Sequence, residues 1–153
     1  LRAGDARFAD ALRSTAALAT TTGQWPEAIH PRTLGGCMGD GQHVWAAAEW
    51  VLMIRNCFVR EEDGELILAA GILPEWVEGR PATLGPTPTP FGDISIHVEA
   101  TKDEWVVSWD GAWRGEAPAI LVAPPGCEPE RAPHGVRRHT VARRGATRRA
   151  AQS

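Results

Sequence analysis

The sequence predicts an α+β chain in which a helical hairpin is followed by an antiparallel β-sandwich-like module. Three observations carry this. Apolar residues recur at helical spacing up to about Val59, and after Arg60 the period shortens to two. Beyond Cys127 the composition turns basic and nearly free of large apolar residues. These shifts divide the chain into a helical part over 1–60, a β module over 61–126 and a disordered basic tail over 127–153.

Residues 5–19 place Phe8, Leu12, Ala16 and Ala19 on one helical face. Thr20, Thr21, Thr22 and Gly23 end that helix, because β-branched residues and glycine both oppose its continuation. A long connection over 24–42 follows, with Pro26, Pro31 and four glycines after Gly23. Loops of this length inside compact domains are often functional. Asp40 is its expected N-cap, and a second helix is expected from Gln42 or His43 to Val59. The central stretch of that helix, VWAAAEWVLMI, is apolar nearly all round and calls for neighbours on more than one side.

In the second half, 65–69 reads as a short strand, and 93–99 sets Ile94, Ile96 and Val98 opposite Ser95, His97 and Glu99. A turn at 101–103 leads into a strand over 104–109, and 119–123 supplies another before Pro124 and Pro125. The four prolines within 81–90 predict an extended covering segment. The tail over 127–153 buries too little to offset its ordering entropy.

Composition excludes several classes. At 153 residues, 43% hydrophobic and 23% charged, the chain has the make-up of an ordinary globular domain. It begins at Leu1 and enters a helical pattern at once, from which a preceding segment is expected. No apolar run reaches the roughly 18–20 residues of a membrane span, so no membrane partner is expected. The tail holds seven Arg against Glu128 and Glu130, a charge of +5; with a chain total of −3, residues 1–126 carry −8. That acidic body argues against nucleic acid as a partner. Cys37, Cys57 and Cys127 make no disulfide framework. His30, Cys37, Asp40 and His43 are metal-ligand types, but their spacing fits no paired zinc pattern, so neither metal nor other cofactor is expected.

The informative stretch is TGQWPEAIHPRTLGGCMGDGQHVWAAAEW, residues 22–50. Trp25 stands beside Glu27 on a glycine-rich loop, with His30, Arg32, His43 and Trp45 close in sequence. Flat apolar faces suit pyranose rings and polar groups suit hydroxyls. A carboxylate among aromatics can serve as general acid or base. The structural alternative is that Glu27 bonds amides of its own loop while Trp25 and Trp45 pack.

The order of helix, Trp-Pro-Glu loop, glycine-rich stretch and GQHVWAAAEW helix resembles the last hairpin of the six-hairpin glycoside hydrolases, whose catalytic domain is an α/α toroid. Pro26-Glu27-Ala28 is similar to the loop that holds the general base in the glucoamylase-like branch, with Ala28 where that branch has Gln. Trp45-Ala46-Ala47-Ala48 matches the helix start without its Ser-His pair. Gly71 to Trp76, containing Pro74, and the Thr89-Pro90-Phe91-Gly92 turn resemble the β-rich C-terminal domain of rhamnosidase-like members. The likeness covers about residues 5–123. It implies the final hairpin of an α/α toroid followed by a β module, with the remaining hairpins of the same enzyme as partners.

The resemblance further implies that Glu27 deprotonates a water attacking the anomeric carbon of a carbohydrate substrate. Trp25, His30, Arg32, His43 and Trp45 would shape the sugar site. The acid would stand roughly 6.5–9.5 Å away in an inverting enzyme, supplied from outside this chain, leaving the chain inactive alone. Glu75, beside Trp76, is the rival carboxylate. Two alternatives stay open: a non-catalytic carbohydrate-binding β module using Trp105, Trp109 and Trp113, and an inactive truncated product. Val107 shares a strand face with Trp105 and Trp109, which favours a core face for those two. Self-association through the second helix is a further expectation.

Overall fold

The first helix, α1, forms over Phe8–Ala17 and buries Leu12. The computed structural model describes residues 1, 5, 7–38 and 43–143. The chain divides into two units, Leu1–Arg55 and Asn56–Ser153, each taken by itself below.

In the first unit α1 ends at Ala17 with Leu18 as its C-cap, short of the expected stop at the threonine run, where the Gly23 amide donates to the Thr20 carbonyl with Gly23 at φ 75°. The connection then makes a small hairpin in which β1 (Ala28–Ile29) pairs with β2 (Gly36–Met38). The long helix α2 spans Val44–Phe58, its last turn belonging to the second unit. The expected N-cap Asp40 and start at Gln42 lie outside the described residues.

The final-hairpin-of-a-toroid reading is overturned. An αα-hairpin joins two antiparallel helices by a loop of roughly 2–5 residues and seats a continuous apolar stripe between them. Here a β-hairpin intervenes, and α1 and α2 are not among the element pairs in broad contact. Trp25 touches both helices: its indole N–H donates to the Thr15 carbonyl of α1 at 2.8 Å, and its ring lies 5.0 Å from that of Trp50 on α2. On α2 only Cys57 and Phe58 are buried. Among the described residues the architecture is α+β, with two α-helices and three mostly antiparallel sheets.

The second unit holds two four-stranded sheets. β3 (Val59–Glu62) and β4 (Glu65–Leu68) form a hairpin closed by Asp63-Gly64, both at positive φ, the chemistry of a two-residue primed turn. A 3-10 turn spans Pro74–Val77, in the stretch that resembles part of a rhamnosidase-like β-rich domain. Next come β5 (Ala82–Thr89), β6 (Gly92–Ala100) and β7 (Glu104–Trp113), an antiparallel meander. β8 (Ile120–Val122) returns parallel to β4, β9 (Glu130–Arg131) pairs with β8, and β10 (Arg138–Ala142) pairs with β7. The sheet orders are β10-β7-β6-β5 and β3-β4-β8-β9.

Alternation places the core. Ile94, Ile96 and Val98 on β6 are buried, with Trp105, Val107 and Trp109 on β7, Leu66 and Leu68 on β4, and Val122 on β8. Two expectations change here. The proline-rich segment is a paired strand, tolerated because β5 lies at a sheet edge and its register shifts between Leu84 and Thr87. Residues 130–143 are not disordered: β9 and β10 complete the ladders of β8 and β7. Ladder bonds use backbone groups and are indifferent to the arginines, while Ala132 and Val141 supply the buried contacts. The expected disorder of 144–153 lies outside the described residues.

Candidate functional site

The loop preceding β1 is fixed from both sides by backbone. The Glu27 amide donates to the Met38 carbonyl at 3.1 Å, and the His43 amide donates to the Trp25 carbonyl at 3.0 Å. Gly36 allows the close approach, since a Cβ there would sit 3.1 Å from the Pro26 ring. These contacts set Glu27 against the start of α2. Its Oε2 lies 3.5 Å from His43 Nε2, with the side chains 40% and 26% exposed. The separation is long for a hydrogen bond, and both groups keep a face to solvent.

His43 Nδ1 is buried and has no partner. The edge of the His43 ring meets the Trp45 ring at 5.4 Å and 86°, and Trp45 is 52% exposed. Leu34 and Met38, on and beside the small hairpin, are also exposed. Among the described residues no backbone amide donates to the Glu27 carboxylate, so the structural alternative, a carboxylate spent on its own loop, finds no bond there.

The other sequence candidates fall out as follows. Trp25 is 9% exposed and engaged with Thr15 and Trp50, which makes it the bolt of the loop rather than a sugar platform. His30 caps the β1–β2 turn: its Nδ1 accepts from the Arg32 and Thr33 amides at 3.3 Å. Arg32 is exposed in that turn. His30 follows β1 whereas Glu27 precedes it, a displacement of about 10 Å at strand rise, so neither His30 nor Arg32 joins the Glu27–His43 pair. Glu75 is exposed on the 3-10 turn of the other unit. Among the described residues no three metal-ligand side chains converge.

Comparison with protein-family models, curated proteins and solved structures finds no match. The chemistry therefore rests on the residues themselves. Of the tryptophans proposed for a binding β module, Trp105 and Trp109 are 1% and 6% exposed and belong to the core, with the Arg143 guanidinium 5.4 Å over the Trp105 ring. Trp113 is the exception and is part-exposed at the end of β7. No described helix is long and apolar enough to cross a membrane.

Proposed function

We propose that this chain supplies the general base, Glu27, and part of the sugar-contacting surface of a glycoside hydrolase. The observation that carries the reading is the meeting of Glu27 with His43 at 3.5 Å beside an exposed tryptophan. The Pro26-Glu27-Ala28 likeness supports it, and the reading needs no toroid.

In this reading Glu27 takes a proton from a water on the open side of the carboxylate, and the water oxygen attacks the anomeric carbon. The glycosidic bond breaks and its oxygen takes a proton from an acid on a part of the enzyme outside this chain. His43 Nε2 stands beside the carboxylate at 3.5 Å. Trp45 offers an indole face to the pyranose ring. Concerted proton transfer needs both groups, so the isolated chain does not turn over.

The test is glycosidase activity of the natural full-length protein carrying Glu27→Gln. General-base loss predicts a fall of about 10²–10⁴ in kcat with folding intact, because Glu27 is solvent-facing. Activity within twofold of the unsubstituted enzyme would overturn the assignment.

A further inference from the structure

A cavity lies in the second unit, at the end of its two sheets where β7, β8 and β9 come together with the segment leading into β10. Its volume is about 460 Å³, within the range of small-molecule sites. The floor is one strand face: Trp109, Gly111 and Trp113 alternate on β7. Trp109 is buried at the inner end. A Cβ on Gly111 would overlap the Trp113 ring, so the absence of a side chain lets that indole lie against the strand. The result is a broad aromatic plate in an otherwise small-residue cleft whose walls include Pro118, Ala119 and Pro133.

The rim carries Glu116, Arg131, His134 and Arg137. Each arginine already faces a carboxylate, Arg137 with Asp110 at 2.7 Å and Arg131 with Glu65 at 2.8 Å. A ligand therefore need not bring charge to satisfy them. Paired donors and acceptors around an aromatic plate match hydroxyl groups, each of which both donates and accepts. We propose that this cleft is a carbohydrate-binding site for a neutral pyranose, stacked on Trp113 and hydrogen-bonded by Arg137 and Glu116. It stands independently of the Glu27 reading, from which it borrows no residue.

The experiment is a titration of the 153-residue chain with cellobiose and, separately, maltose, followed by the indole N–H resonances of its tryptophans. The expected result is a saturable shift of the Trp113 resonance with at least one sugar. Trp113→Ala should then weaken binding at least tenfold, read from the Arg137 Nε–H resonance. Gly111→Ala, which displaces the indole without removing a polar group, should do the same; Arg137→Ala, at an exposed position, keeps the test open should that variant fold poorly, and should weaken binding severalfold. No shift at Trp113 with either sugar up to about 20 mM, beyond the millimolar range of weak sites, would overturn the proposal. So would binding that Trp113→Ala leaves unchanged. Shifts confined to Trp45 would overturn it while leaving the Glu27 site standing.

Discussion

Gly71→Ala should destabilise the second unit by about 2–4 kcal/mol, the sum of overpacking at about 1–3 and loss of one hydrogen bond at about 1. Gly71 is buried against the end of α2. An added Cβ would lie 2.9 Å from both Cys57 Cα and Sγ and 3.0 Å from its Cβ. Carbon atoms prefer about 3.5–4.0 Å, and the Gly71 amide is tied to the Cys57 carbonyl at 3.0 Å, so the backbone cannot back away and keep that bond. Gly64→Ala is the matched control. Nothing lies within 4 Å of a Cβ there, and the left-handed φ of 79° alone should cost about 1 kcal/mol. Urea unfolding followed by tryptophan fluorescence measures both. At about 4–8 °C per kcal/mol for a unit this size, Gly71→Ala should lower Tm by at least about 8 °C. Adding Cys57→Ala removes only the sulfur contact, so it should recover a minority of the loss. A Gly71→Ala cost within about 0.5 kcal/mol, inside the range of ordinary surface changes, would refute the reasoning; full recovery by Cys57→Ala would refute the backbone part of it.

Burial pushes the Cys57 thiol from an ordinary 9.0 up to about 11. Its protonated form is favoured by folding, so that stability is present below pH 9 and lost as pH rises from about 9 to 11; Cys57→Ala should remove this slope from unfolding free energies measured across that window. In the folded chain a thiol reagent at pH 8 should modify exposed Cys37 at once and Cys57 only on unfolding; early Cys57 labelling would contradict its burial. Val44, Trp45, Val51 and Leu52 expose a continuous apolar row on α2. Self-association of the isolated chain is the expected consequence, visible as a sedimentation mass that rises with concentration and falls back with Val51→Glu. A monodisperse monomer at high concentration would contradict it.

The elements that announce themselves by period were legible. α1, α2, β6 and the first half of β7 follow directly from the spacing of Phe8 and Leu12, of the 44–54 apolar run, and of Ile94, Ile96 and Val98. What composition obscured was pairing. Prolines disguised β5 as a covering segment although an edge strand can leave those positions unbonded. Arginines disguised β9 and β10 as a solvated end although ladder bonds ask nothing of side chains. The parallel pairing of β8 with β4 depends on contacts remote in sequence, which no local period reports. At the site, nearness in sequence grouped Trp25, His30, Arg32 and His43 with Glu27, whereas a two-residue strand separates His30 from it and burial claims Trp25. A signal was present for Trp25: a Trp just past a helix end and before a Pro is well placed to pack back on that helix. The cleft beside Trp113 was half visible, since Gly111 two residues before a Trp on one strand face leaves room for the indole to lie down.

The central claim is that Glu27 activates the attacking water. Replacing Glu27 by alanine in the natural full-length protein leaves a gap that a small anion can enter, and azide needs no base. The reading predicts that azide restores turnover of an activated aryl glycoside by Glu27→Ala and yields a glycosyl azide of inverted anomeric configuration, identified by proton NMR. Failure of azide to raise the residual rate, or a product of retained configuration, would contradict it.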